Sequence, residues 1–265
     1  MATHLRQQTG ASRPVALVTG AQRGIGRAIA LALARAGFDL ALCDLSVSPA
    51  LEHVAAEASE CGIHVVPFGA DLADPVTHAG LLDAADAKVG PIDCLVNNAG
   101  VSVLSRSDVL DVTPEAWDHC MSINARGTFF FSQCHARRLL AREAGPHHRS
   151  IVTITSSNAR LVSISRSEYC ASKAAAAMVV QLLAVRLGSA GIGVYEISPG
   201  LIDTEMSGTS KAHYDAEIER GWLVEPRWGR PDEVGRAVVT LAQGLLPYTV
   251  GQAVMVDGGM SINRY

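Results

Sequence analysis

Short runs of consecutive apolar residues alternate with helix-length segments along nearly the whole chain. Residues 14–19 (PVALVT) are apolar enough throughout to predict a buried strand, and residues 24–36 predict a helix closed by Gly37. The alternation continues with a strand over 39–44, a helix over 49–61 closed by Gly62, a strand over 63–68, a helix over 75–89 and a strand over 92–97. A long helix is expected from about 114 to 142. After it come a strand over 151–155, a long helix over 167–189 ending near Gly191, a strand over 193–197, a helix over 231–242 and a last strand over 252–256. Strands that are apolar at every position need cover on both faces, which implies a parallel sheet between helical layers. Right-handed crossovers then give an α/β fold, a doubly wound sheet in a three-layer αβα sandwich. Residues 14–265 are expected to form a single domain behind a polar N-terminal tail over 1–13. Two stretches lack clear periodicity. Residues 141–150 (AREAGPHHRS) are polar and read as a surface loop, and residues 198–230 are long and carry Trp222 and Trp228. Part of the second stretch, about 204–228, is expected to act as a lid over a binding site.

Composition narrows the classes. The 265 residues are 48% hydrophobic and only 18% charged, against a usual charged share of about 25%. That is a core-forming composition and excludes disorder, collagen-like repeats and small disulfide scaffolds. With 26 acidic and 22 basic residues the net charge is −4, which leaves no broad basic surface for nucleic acid. Six cysteines (Cys43, Cys61, Cys94, Cys120, Cys134 and Cys170) stand singly, with no CxxC and no Cys/His spacing suited to zinc, so no metal is expected. Reduced thiols and the lack of an apolar leader in residues 1–13 point to a cytoplasmic location. The apolar stretch 28–45 is interrupted by Arg35, Asp39 and Asp44 and reads as helix, turn and strand, so no membrane partner is expected.

The junction between the first strand and first helix reads Thr19-Gly20-Ala21-Gln22-Arg23-Gly24-Ile25-Gly26, a GxxxGxG spacing. Glycines there let backbone N–H groups approach a pyrophosphate, and the helix N-terminus favours its charge. Asp44 ends the second strand, 18 residues after Gly26, where a carboxylate can accept from the adenosine ribose hydroxyls and repel a 2′-phosphate. It argues for NAD, whereas Arg23 inside the turn points toward NADP. Asp44 carries the greater weight, because repulsion in a confined site is hard to evade.

Further motifs follow in order. Asp71-Leu72 comes after the third strand, Asn97-Asn98-Ala99-Gly100 after the fourth, and Asn124 lies within Ser-Ile-Asn-Ala-Arg-Gly on the long helix. Tyr169-Cys-Ala-Ser-Lys173 matches YxxxK with Ser156 thirteen residues before the tyrosine, and Ser198-Pro199-Gly200-Leu-Ile-Asp-Thr204 matches PGxxxT. The ordered set, spanning about residues 13–260, resembles the short-chain dehydrogenase/reductase family. Within it the chain is most similar to proteins labelled 3-oxoacyl-[acyl-carrier-protein] reductases. The resemblance implies a Rossmann-like seven-stranded sheet and nicotinamide-dependent hydride transfer at an alcohol or ketone. It implies cofactor contacts at Gly20, Arg23, Gly24, Ile25, Gly26, Asp44, Asp71, Leu72, Asn98, Ala99, Gly100, Tyr169, Lys173, Pro199, Gly200, Ile202 and Thr204. A homotetramer, or a dimer as the smaller form, is also implied.

The residues support that chemistry in their own right. Tyr169 and Lys173 are one helical turn apart and share a face, so an ammonium sits where it favours the phenolate. The chain uses 19 Arg but only three Lys, and one of the three stands at this position. A compact ammonium suits ribose hydroxyls better than a planar guanidinium does. Flanking small residues (Ala171, Ser172, Ala174 to Ala177) suggest close packing of this helix. Ser156, expected to end the fifth strand at the carboxyl edge of the sheet, can hold the substrate oxygen, with Ser157 as its rival. Asn124 is a poor mid-helix residue and needs a reason. The family resemblance offers a kink whose freed carbonyl holds a water linked to Lys173. Asn124, Ser156, Tyr169 and Lys173 are thus the expected catalytic residues.

Arg160, Arg166 and Glu168 lie between Ser156 and Tyr169 and could read a polar or anionic substrate. His147 and His148 are expected to be a solvated surface pair, Cys170 a small packing residue, and the two tryptophans lid or subunit contacts. The expected activity is an NAD(P)-dependent oxidoreductase, with NAD(H) and a small polar or sugar-like alcohol or ketone as the leading case. NADPH-dependent 3-oxoacyl-[acyl-carrier-protein] reduction is the alternative, and a catalytically silent dinucleotide sensor is a distant third.

Overall fold

The computed structural model describes residues 12–205, 208 and 211–263. The expected tail therefore lies outside the described residues for positions 1–11, as does the expected lid for positions 206, 207, 209 and 210. Seven strands form one sheet: β1 (Val15–Thr19), β2 (Asp39–Asp44), β3 (Val65–Gly69), β4 (Cys94–Asn97), β5 (Arg149–Ile154), β6 (Ile192–Pro199) and β7 (Ala253–Val256). Their order is β3-β2-β1-β4-β5-β6-β7, and every pairing is parallel. The strand order reverses between β1 and β4, which places a crevice at the carboxyl ends of those two strands.

Alternation along each strand splits the core in two. Ala16, Val18, Leu40, Leu42, Val96, Val152 and Ile197 face one helical layer, and Leu17, Ala41, Leu95, Ile151 and Val194 face the other. This is the physical content of strands apolar at every position. The first layer holds α1 (Gly24–Arg35), α2 (Pro49–Ser59) and α8 (Pro231–Ala242). The second holds α3 (Thr77–Lys88), α5 (Thr128–Ala141) and α6 (Ser167–Leu187), with the short α4 (Pro114–Cys120) leading toward α5. Starts are set by ordinary caps. Ser48 accepts from Leu51 N–H at 3.2 Å before Pro49, Thr113 from Ala116 N–H at 3.3 Å before Pro114, and the Glu233 carboxylate from Arg230 N–H at 2.7 Å.

Four expectations need correction. The helix expected over 114–142 is not uniformly α-helical. A π-helical turn, Met121–Gly127, separates α4 from α5. Gly127 sits there against the β3 loop so closely that a Cβ would lie 2.6 Å from the Leu72 carbonyl. The surface loop over 141–150 ends earlier, because Arg149 and Ser150 open β5. Arg149 spends its charge on the last carbonyls near two helix ends, Leu139 at 3.0 Å and Ala190 at 2.9 Å. Within that loop His148 is not solvated. It is half-buried with Nε2 3.2 Å from the Tyr195 hydroxyl, and burial pushes its pKa down. Residues 198–230 contain an unexpected helix, α7 (Lys211–Glu219), in which Ile218 is the buried residue. One buried position gives no periodic signal to read. Apart from these corrections, the stretch Ile164–Ala190 passes for a membrane span by length and composition alone. It contains α6, which packs on the sheet and buries Tyr169, Lys173, Ala176, Val180, Ala184 and Leu187.

Candidate active site

The carboxyl ends of the strands open into one cavity of about 990 Å³. Of the residues singled out in the sequence, all the expected cofactor contacts line it, as do Ser156, Tyr169 and Lys173; Asn124 does not.

At the β1 end the wall is backbone. Gly20 and Gly24 hold positive φ, 64° and 52°, which L side chains rarely adopt. A Cβ on Gly26 would fall 1.9 Å from the Gly20 carbonyl oxygen, so the turn closes only around glycine. The Asn98 amide reinforces the turn by donating to the Thr19 and Gly20 carbonyls at 2.9 and 3.0 Å. The Thr19 hydroxyl in turn accepts from the N–H groups of Asn98 and Ala99, each at 3.0 Å. The side chain of Asn98 thus shapes the cradle, a role distinct from direct contact. The Asp44 carboxylate is held by Gln22 N–H at 3.2 Å and Leu45 N–H at 2.9 Å, and stays at the cavity wall. Beside it, burial and the Asp44 charge push the Cys43 thiol up to about 12, so it is inert. Arg23 lies 3.6 Å from Glu205 across the cleft, with both side chains mostly in solvent. The glycine cradle and the Asp44 carboxylate fit the pyrophosphate and ribose of a dinucleotide.

At the other end Lys173, buried on α6, donates to the Ile154 carbonyl at 3.1 Å, and its Nζ lies 5.8 Å from the centre of the Tyr169 ring. Ser156 stands two residues beyond the end of β5, not on it, and opens a short 3-10 turn by accepting from Asn158 N–H at 3.2 Å. Asn124, inside the π-helical turn, is buried and does not face solvent. Its side chain grips the Val101 backbone, accepting from N–H at 2.8 Å and donating to C=O at 3.0 Å. It also donates to Ser172 Oγ at 2.9 Å, and Ser172 donates to the Tyr169 carbonyl at 2.8 Å. Asn124 therefore couples the loop after β4 to the helix that carries Tyr169 and Lys173.

The charged residues between Ser156 and Tyr169 divide. Arg160 forms a double contact with buried Glu196, at 2.7 and 2.9 Å, and those bonds raise its pKa. Glu168 is buried off the cavity, and only Arg166 reaches the wall. Its guanidinium lies 4.2 Å from the centre of the Tyr169 ring. Cys170 is half-buried with Sγ 3.9 Å from the Leu161 and Ser163 carbonyls. Residues 101–106 and Met260 line the wall but were not singled out by sequence, whereas Tyr214 and Trp222, with rings 6.0 Å apart, fall inside the expected lid stretch. For 101–106 the usable signal was position alone, since they directly follow the Asn97–Gly100 motif at the end of β4. Among the described residues no group of three or more His, Cys, Asp or Glu is placed to hold a metal ion.

Residues 20–261 match a family model described as enoyl-(acyl carrier protein) reductase. The chain belongs to the short-chain dehydrogenase/reductase family. Among solved structures of this family, a 3-oxoacyl-[acyl-carrier protein] reductase from Brucella melitensis in complex with NAD is 44% identical. It covers 97% of this chain and 100% of its own, with a TM-score of 0.93. Curated relatives include D-threitol dehydrogenase of Mycolicibacterium smegmatis, 34% identical over 94% of this chain and 93% of the relative. A second is 2-dehydro-3-deoxy-D-gluconate 5-dehydrogenase of Dickeya dadantii, 32% identical over 92% of this chain and 94% of the relative. As a short-chain dehydrogenase/reductase the protein is an oxidoreductase acting on CH–OH groups with a nicotinamide dinucleotide.

Proposed function

We propose that the protein uses NAD(H) to interconvert a small, polar, sugar-like secondary alcohol and its ketone. One observation carries the reading. A single cavity runs from the Asp44 carboxylate, past the glycine turn, to Ser156, Tyr169 and Lys173. The nicotinamide, when bound, supplies or takes the hydride. Tyr169 gives its phenolic proton to the substrate oxygen in reduction and takes it back in oxidation. Ser156 holds that oxygen in line. Lys173 stands beside the phenol and would hold the ribose hydroxyls of the bound dinucleotide. Asn124 positions Tyr169 through Ser172, and its π-helical turn frees carbonyls for a water path to Lys173. Asp71, Leu72, Asn98, Ala99, Gly100, Pro199, Gly200, Ile202 and Thr204 complete the cofactor wall. Asp44 supports NAD over NADP, and the Arg23–Glu205 pair supports it further, because the arginine has a carboxylate beside it.

Substrate class rests on the relatives, two of which carry sugar-alcohol and sugar-acid names, and on a cavity end rich in Ser. Residues 204–228 act as the lid, with Tyr214, Trp222 and Trp228 as its underside. A homotetramer is supported by the exposed apolar row Met178, Leu182 and Val185 on α6. Free thiols at all six cysteines suit a cytoplasmic location.

The test is titration with NADH and NADPH, then assay against a polyol panel and an acetoacetyl thioester. NADH preferred by about tenfold or more in kcat/KM, with polyol or hydroxy-ketone turnover, is the expected result. Preference for NADPH with thioester turnover replaces this reading with 3-oxoacyl-[acyl-carrier-protein] reduction.

A further inference from the structure

The charges along the cavity are sorted. The carboxylates of the wall, Asp44, Asp71 and Glu205, lie toward the dinucleotide end, and Glu205 is countered by Arg23. Around Ser156 and Tyr169 the described wall carries Arg106 and Arg166 and no carboxylate. Glu168, the nearest acidic residue in sequence, is buried on the far side of the segment and does not reach the cavity.

Arg166 is the better placed of the two arginines. Its guanidinium is packed 4.2 Å from the centre of the Tyr169 ring, so its position relative to the phenol is set by stacking. Its hydrogen-bonding capacity is underused. Of five N–H donors, one Nη meets the Asn158 side-chain carbonyl and the other the Ser102 hydroxyl, each at a long 3.3 Å, and Nε–H has no acceptor. Among the described residues it forms no ion pair, whereas Arg160 nearby is fully engaged with Glu196. A planar cation with neutral, stretched partners at the wall of a reaction cavity matches a carboxylate.

We propose that Arg166 determines substrate class, and that the substrate is a polyhydroxy acid whose carboxylate binds the Arg166 guanidinium. Its reacting carbinol or ketone then lies a few carbons away at Ser156 and Tyr169. The inference rests on the function proposed above. Ring stacking fixes the distance between anion site and phenol, so the acid must be short between these two groups. Neutral alditols of the same length enter the cavity but leave the guanidinium unmatched.

The test uses the full-length protein loaded with NADH, with the reduced nicotinamide's fluorescence as readout. Its probes are D-gluconate, D-sorbitol and sorbitol 6-phosphate. Gluconate and sorbitol differ at one carbon, a carboxylate against a hydroxymethyl group. Wild type should bind gluconate about tenfold or more tighter than sorbitol. Arg166→Gln should abolish that ratio, and Arg166→Lys, which keeps the charge but not the planar fork, should restore part of it. Circular dichroism confirms folding of each variant, and the lysine variant carries the test if the glutamine variant does not fold. Gluconate bound no tighter than sorbitol, absence of binding by both included, overturns the inference and leaves the dehydrogenase reading in place. So does an equal loss of both ligands in the variants, or tighter binding of the phosphate ester than of gluconate. A protein that takes up neither NADH nor NADPH overturns the function itself, and this inference with it.

Discussion

The cavity is walled by two kinds of material. Around the tips of β1 and β4 it is mostly main chain: Gly20, Gly24 and Gly26 in a turn where Gly26 leaves no room for a Cβ, braced by Thr19 and Asn98. Across from them, along residues 101–106, 156–166 and 213–228, the wall is side chains standing on coil, single helical turns and the short helix α7. A main-chain wall tolerates few sequences and recognises what all dinucleotides share. A side-chain wall can be rewritten residue by residue, and it is there that one oxidoreductase departs from another.

The contrast can be broken most sharply at the one point where both walls meet the chemistry. Tyr169→Phe should lower kcat by about 10³-fold or more while NADH still binds, as read by turnover and by nicotinamide fluorescence. A variant retaining about a tenth of wild-type turnover would remove Tyr169 from its role. Next in size is the main-chain wall. Gly26→Ala forces a methyl against the Gly20 carbonyl. It should cost about 3 kcal/mol or more and lower the melting temperature by roughly 6 °C or more, with NADH affinity lost in step.

Both walls hang on one sheet, and a third change should move them together. His135 on α5 is buried with neither ring nitrogen partnered, and burial together with Arg142 and Arg138 pushes its pKa down to about 3. Between that value and the ordinary 6.5 the unfolded chain binds the extra proton, so stability falls as pH drops through this window. From pH 7 to pH 4 the loss from this residue is up to about 3 kcal/mol. His135→Leu should flatten that part of the urea midpoint against pH, while NADH binding and turnover fail in parallel in the wild type. If the two profiles coincide, His135 does not carry this loss.

The finer contrast lies within the cofactor wall. Asp44→Ser should shrink the preference for NADH over NADPH by about tenfold, by easing repulsion of the 2′-phosphate, and an unchanged ratio would detach specificity from this carboxylate. Smallest is Gly37→Ala. Its φ is 87° but no atom lies within 4 Å of the added methyl, so about 1 kcal/mol of backbone strain is expected and NADH affinity is unchanged.

The same contrast explains what could be read in the chain. Strands such as β1 and β4 were legible because burial on both faces leaves apolar residues at nearly every position, and the turn was legible because Gly26 leaves no room for a Cβ. α7 was not, since Ile218 is its one buried residue. The π-helical turn left Asn124 visible as a misfit, but not the grip of its side chain on Val101, a partner 23 residues away. Arg160 and Arg166 look alike in sequence. Glu196, which separates them by neutralising one, arrives from a strand 36 residues from Arg160. Substrate-wall residues are defined by such long-range neighbours, which no local pattern encodes.

The Asn124 side chain occupies both the N–H and the C=O of Val101 while also holding Ser172 on α6. A loop residue bound at both main-chain groups behaves, in exchange with deuterated solvent, like a residue of a sheet. The Val101 amide should therefore lose its proton far more slowly than its neighbours at 103–106. Its exchange would report on the opening of the helix that carries the reactive tyrosine, a clock for the active site set in a loop.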